Sequence, residues 1–154
     1  DAVFMSHEPH DHMGGLAWLL EENNDVTIWL PPSFHGRLDV KERVIVSKPM
    51  ALVSGIYSTG ELEGIEQSMA VETAHGLMVV VGCSHPNMKT ILKTASRFGE
   101  PYSIVGGLHG THPKWLAGLS LIVATHCTQF KSEIKQLYPD AYREGGVGKV
   151  IEIP

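Results

Sequence analysis

Four apolar runs of strand length in this chain each stop at a short turn that carries histidine. Ala2 to Met5 leads into Ser6-His7, and Leu77 to Val81 leads into Gly82-Cys83-Ser84-His85. Ser103 to Val105 ends in Gly106-Gly107-Leu108-His109, and Leu119 to Ala124 ends in Thr125-His126-Cys127-Thr128. The run at 77 to 81 has no polar alternation, so it reads as a strand covered on both faces of a layered α/β protein. Histidines at equivalent strand ends share one rim of a sheet, where loops on a rigid scaffold converge. The expected fold class is therefore α/β, or α+β by some schemes, with its chemistry gathered at one edge. His85 and His126 are placed on that rim, while His109 stays open between rim and core.

The first of these turns is the densest. Ser6-His7-Glu8-Pro9-His10-Asp11-His12-Met13-Gly14-Gly15 collects three imidazoles and an aspartate within six residues. That is a ligand set which zinc, manganese and iron accept. Gly14-Gly15 then opens a helix from Leu16 to about Asn24, with Leu16, Leu19 and Leu20 on one face. The remaining histidines read as surface residues. His35 lies in the loop from Ser33 to Arg37, where Arg37 offers an anion contact; His75 lies in a hairpin turn, and His112 precedes Pro113 in a polar loop.

Between these landmarks the expected strands are Val26 to Leu30, stopped by Pro31-Pro32, then Arg43 to Ser47 and Met50 to Ile56. Ser58 to Glu61 reads as a loop. Ser68 to Thr73 and Leu77 to Val81 form a hairpin around Ala74-His75-Gly76. Pro86 opens an amphipathic helix that carries Met88, Ile91, Leu92, Ala95 and Phe98. A helix from Phe130 to Leu137 and a strand from Lys149 to Ile153 complete the pattern.

A chain of 154 residues fits one domain, and 43% apolar against 19% charged residues describes an ordinary soluble globular unit. No apolar run is long enough to cross a bilayer, so no membrane partner is expected. A formal charge of -5 argues against a broad grip on nucleic acid and favours a small-molecule substrate. Cys83 and Cys127 adjoin or nearly adjoin ligand histidines, which suits buried thiols beside a site better than a disulfide. The expected location is the reducing cytoplasm.

With the cluster at 7 to 12 and the strand-end His85 and His126 assembled, the sequence resembles the metallo-β-lactamase superfamily and its HxHxDH signature. The likeness extends to Ser58-Thr59-Gly60-Glu61, Gly82-Cys83-Ser84-His85-Pro86, Gly106-Gly107-Leu108-His109 and Thr125-His126-Cys127-Thr128. These motifs look like its metal-dependent hydrolase subgroup, to which dihydropterin-type synthases belong. The resemblance implies a four-layer αββα sandwich in one domain spanning 1 to 154, the C-terminal two-thirds of a longer natural domain. The missing N-terminal part is expected from further residues or a second chain, with a homo-oligomer as one form. The resemblance further implies one or two divalent ions, zinc first, with manganese, iron or magnesium as alternatives. It gives His7 and His85 to one ion and Asp11, His12 and His126 to another, with Asp11 also in a catalytic role.

One departure stands out. The second ligand of HxHxDH falls on Pro9, which has no side-chain donor. His10 is the nearest replacement, and Cys83 or His109 are the candidates for the missing bridging acid, as metal or substrate contacts. The expected function is a metal-dependent hydrolase or transferase acting on a phosphate or pyrophosphate small molecule, with a dihydropterin pyrophosphate as the specific form. The alternative is a catalytically weakened metal- or ligand-binding protein that retains the fold. The substrate-binding residues are not named by the sequence.

Overall fold

The computed structural model describes residues 1–153, the side chain of His10 excepted. Two sheets carry the chain. The first is parallel, with order β1-β2-β3 from Ala2–Phe4 (β1), Thr27–Leu30 (β2) and Glu42–Ile45 (β3). A one-turn helix, His10–Met13 (α1), and a second helix, Leu16–Glu22 (α2), make the crossover between β1 and β2. Met5, Val26, Ile28, Leu30 and Phe34 form its core, with Leu16 and Leu20 packed against them. Leu19 does not join that face; it is exposed beside Trp18.

The second sheet has seven strands in the order β10-β9-β8-β7-β6-β5-β4. They are Met50–Val53 (β4), Ile56–Leu62 (β5), Glu66–Thr73 (β6), Gly76–Val81 (β7), Pro101–Gly107 (β8), Leu121–Thr125 (β9) and Tyr142–Glu144 (β10). The meander from β4 to β7 is antiparallel, and β7 to β10 run parallel. Parallel neighbours need crossovers, supplied by Met88–Ala95 (α3), a 3-10 turn at Pro113–Leu116, and Lys131–Leu137 (α4). Val79, Ile104 and Ile122 from the sheet meet Ile91 and Ile134 from α3 and α4 in one core. Each sheet thus carries helices, the layered α/β arrangement that the strand-end pattern implies. Among the described residues no helix is long and apolar enough to cross a membrane.

Several local expectations give way. Ser58 to Glu61 is not a loop but the middle of β5, where the pairing with β6 shifts register between Ser58 and Glu61. The strand expected at Met50 to Ile56 is split by a turn at Ser54-Gly55. Pro86 precedes α3 rather than opening it; Asn87 is the cap, accepting from the Lys89 amide. The run Leu77 to Val81 alternates after all, since Leu77, Val79 and Val81 are buried and Met78 and Val80 are half-exposed. Among the described residues, only one face of that strand is fully covered. The terminal strand is Tyr142–Glu144, and residues 149 to 153 form none; their glycine-rich approach leaves Val147 and Val150 exposed with no ladder partner.

The two sheets meet at two joints. Val46, fully buried, donates to the Leu30 carbonyl of β2 and accepts from the Glu61 amide of β5. Gln67, also fully buried, donates from Nε2 to the carbonyls of Met5 (2.8 Å) and Trp29 (3.3 Å), while its Oε1 accepts from Ser58 Oγ. The bulge in β5 serves the first joint. Gly60 sits there at φ +65, and a Cβ on it would lie 2.5 to 2.6 Å from backbone atoms of Lys48. Backbone cannot swing aside as a side chain does, and the left-handed conformation already disfavours an L side chain. Gly60→Ala is therefore expected to cost more than about 2 kcal/mol of stability, read as a lower urea midpoint with an unchanged slope.

Candidate metal centre

The site begins with a carboxylate. Glu66 opens β6 with its side chain fully buried, facing the turn that follows β7. Its Oε1 accepts from the amides of Gly82 (3.1 Å), Cys83 (2.9 Å) and Ser84 (3.2 Å), and its Oε2 accepts from the His85 amide (3.2 Å). Ser84 takes φ +55 to let the turn wrap around the acid, and its hydroxyl donates to the Gly107 carbonyl. Burial pushes Glu66 toward protonation, but the Cys83, His85 and Ser84 amides and the nearby His7 outweigh it, so its pKa is held below the ordinary value.

The same acid orients an imidazole. His85 Nδ1 lies 3.0 Å from Glu66 Oε2, which leaves Nε2 free to ligate. His7 repeats the arrangement at the end of β1. Its Nδ1 meets Ser6 Oγ at 2.9 Å, and its Nε2 is buried with no hydrogen-bond partner among the described residues. A buried ring nitrogen without a partner is costly unless an ion occupies the space in front of it. His12 Nε2 lies 3.1 Å from Cys83 Sγ, and His126 Nε2 lies 3.2 Å from Asp11 Oδ2.

The rings line up in one row. Centroid separations are 5.0 Å for His126 to His12, 4.1 Å for His12 to His7, 4.9 Å for His7 to His85 and 5.0 Å for His85 to His109. Two of these rings disfavour a proton. Burial, reinforced by neighbouring imidazoles, lowers the pKa of both His7 and His12, so both rings are held in the neutral form that binds metal. Burial also pushes the Cys83 thiol up, to about 12. His109 and His126 both sit at positive φ, 39° and 43°, at the ends of β8 and β9. Three strained non-glycine residues, counting Ser84, therefore surround one rim.

The sequence-derived residues His7, Asp11, His12, His85 and His126 are all brought to this rim. Ligand atoms of Asp11, His12 and His126 lie within 4.8 Å of one another, as do those of His7, Glu66 and His85, and of His7, His12 and Cys83. The chemistry of these donors fits a divalent ion. His109 lines a cavity of about 340 Å³ beside His85, together with Asn87, Thr111, His112 and Trp115. The side chain of His10 lies outside the described residues, so its part as a replacement ligand does too. His35, Arg37 and His75 are exposed and belong to no such group.

Pro9 is the cap of α1, and its carbonyl accepts from the His12 amide at 2.9 Å. Glu66 and Gln67 escaped the sequence reading. The bridging acid is expected at Cys83 or His109, yet the acid that stands beside Asp11 at this rim is Glu66, and its oxygens are already engaged by amides and His85. Its one sequence signal was a Glu-Gln pair where a strand enters the core.

No family model matches the chain. A curated relative, the 7,8-dihydropterin-6-methyl-4-(β-D-ribofuranosyl)-aminobenzene-5′-phosphate synthase of Methanocaldococcus jannaschii, is 24% identical across 99% of this chain and 75% of that protein. A solved structure, a metal-dependent hydrolase of the β-lactamase superfamily, superposes with a TM-score of 0.79 at 20% identity. That match covers 97% of this chain and 78% of the other. The chain has the metallo-β-lactamase-like fold.

In this fold the Glu66 cradle also makes stability depend on acid. A carboxyl whose folded pKa lies below its ordinary 4.5 contributes stability that is complete above 4.5 and is lost as pH falls toward the folded value. Glu66→Gln is expected to lower stability by about 1–3 kcal/mol at neutral pH, because a neutral amide offers poorer acceptance to the amides of 82 to 85. As pH falls below 4.5, urea midpoints should drop steeply in the parent and more gently in the variant.

Proposed function

We propose that this protein is a metal-dependent hydrolase or transferase acting on an anionic small molecule that carries phosphate or pyrophosphate. The observation that carries the reading is the row of oriented imidazoles, in which the buried Nε2 of His7 has no hydrogen-bond partner among the described residues. Asp11, His12 and His126 would hold one ion, and His7 and His85 would hold a second. When bound, a divalent ion supplies Lewis-acid polarisation of a phosphoryl oxygen and neutralises its charge. Zinc suits the imidazole-rich donors best, with manganese, iron or magnesium as alternatives.

The chain's own residues do the rest. Glu66 and Ser6 fix the rings of His85 and His7, and the amides around Glu66 keep that carboxylate from competing for cations. Asp11, more than half exposed, offers its carboxylate at the open side of the rim, where it can hold a proton in transit. Next to His85 the cavity lined by His109 and Trp115 gives room for an organic group. Lys89 and Lys114 lie against the Trp115 ring, at 3.7 and 4.7 Å from its centroid, and place positive charge there for an anion. The relative's name supports a finer version, a dihydropterin pyrophosphate as substrate. The free thiols Cys83 and Cys127 support a reducing compartment such as the cytoplasm.

A phosphatase and phosphodiesterase screen on metal-free protein, repeated with manganese and with zinc, tests the reading. Turnover that needs metal and drops at least about 100-fold in His126→Ala supports it. Silence under every metal favours a second reading that Pro9 motivates, a protein that binds an anionic ligand without turnover.

Donor counting gives a separate expectation. The Asp11 side has three donors, whereas the His7 side has two imidazoles and a carboxylate already engaged. Occupancy near one metal per chain is expected at micromolar free metal, measured by elemental analysis, and Pro9→His should raise it toward two. Two metals in the parent, falling to one in His10→Ala, would instead make His10 the missing ligand.

A further inference from the structure

Beside the imidazole row the rim holds a different set of donors. Cys83 lies in the turn after β7 and Cys127 in the turn after β9, and both are free. Cys83 Sγ, Cys127 Sγ and a ring nitrogen of His126 lie within 4.8 Å of one another, and Cys83 Sγ is also 3.1 Å from His12 Nε2. Cys83 is buried, but Cys127 is only half-buried, and its hydrogen bond to the Cys83 carbonyl is long at 3.8 Å. Space is reserved for this second thiol. A Cβ on Gly107 would lie 2.8 Å from Cys127 Sγ. The metal-dependent reading above uses neither cysteine.

We propose that Cys83, Cys127 and His126 form a further metal site, selective for thiophilic ions such as cadmium, which shares His126 with the Asp11–His12–His126 group. Thiolate is a soft ligand that favours these ions, whereas the Asp11 carboxylate favours manganese or magnesium. A tetrahedral zinc with bonds near 2.3 Å to sulfur needs the two Sγ atoms roughly 3.8 Å apart, so modest side-chain closure completes the set. Binding exchanges the two S–H protons for the ion, and both protons leave to solvent. One imidazole nitrogen serves one ion at a time. The identity of the metal therefore decides which side of His126 is filled: a hard ion sits on the aspartate side and a thiophilic ion on the cysteine side. This rests on the proposed function only in taking the aspartate side as the other metal position.

The test uses the metal-free full chain titrated with cadmium alone and with manganese alone. Cadmium should produce thiolate-to-metal charge-transfer absorption in the near ultraviolet, saturating at one equivalent, in the parent and in Asp11→Asn. Cys127→Ser should abolish that band while leaving manganese binding, read by electron paramagnetic resonance, unchanged. Cadmium should weaken manganese binding at least tenfold in the parent and not in Cys127→Ser. Cys83→Ser should also remove the band; if that buried substitution fails to fold by circular dichroism, the half-buried Cys127 decides the matter. Absence of a thiolate band, or a band that survives Cys127→Ser, overturns the site. Independent binding of the two ions in the parent overturns the sharing of His126. A missing band with manganese binding lost in Asp11→Asn sinks this site alone. A cysteine-dependent band with manganese binding indifferent to Asp11→Asn sinks the functional reading and leaves this site standing.

Discussion

The buried carboxylate of Glu66 is the constraint on which the site depends. The turn from Gly82 to His85 leaves the sheet with four amides pointing inward, and no strand lies beyond to receive them. Buried amides without acceptors are among the most unfavourable features a fold can carry. One carboxylate answers all four, and it stays ionised because charge-assisted hydrogen bonds outweigh the burial that opposes it. The turn is thereby fixed, and so is the imidazole that leaves it.

Gln67, the next residue, does the complementary work. Successive side chains of a strand point to opposite faces. Glu66 therefore faces the end of β7, while Gln67 reaches the carbonyls at the ends of β1 and β2. The Gln67 amide also donates to the Ser6 carbonyl at 3.0 Å. His7 is supplied by the first sheet and His85 by the second, yet their centroids stand 4.9 Å apart because two consecutive polar residues of β6 hold both ends. Charge alone would drive two protonated imidazoles apart at that distance. Burial keeps His7 neutral, and the pair is stable as a ligand set rather than as two cations.

The strand-end histidines were legible in the sequence because each follows an apolar run, and a run fixes where its last side chain emerges; the run before His7 is buried only at Met5. The layered α/β class was legible for the same reason. Glu66 was not, because its partners are backbone amides, which every residue possesses and no sequence pattern marks. The bulge at Ser58 to Glu61 looked like a loop because Ser, Thr and Gly are turn formers; burial of Ser58 and Thr59 against β6 overrides that preference. The end of the chain misled in the opposite direction. Val150 and Ile151 have strand-forming side chains, but ladder partners are decided by tertiary position, and the free edge of β9 is taken by Tyr142–Glu144.

Pro9 shapes one side of the site through the backbone alone. Proline fixes φ near -53 at the start of α1, needs no amide partner there, and offers the carbonyl that closes the turn on His12. That turn sets Asp11 and His12 side by side, within reach of His126 at the end of β9. A residue with no donor of its own thus stiffens the backbone that presents the donors of Asp11 and His12. A ligand set assembled by one rigid turn and one strand end loses little freedom when an ion arrives, which favours binding at that position. The His7 side depends instead on the joint between two sheets, held by Gln67, and on a ring nitrogen that has no hydrogen-bond partner among the described residues. The asymmetry between the two halves follows from the backbone as much as from the donor count.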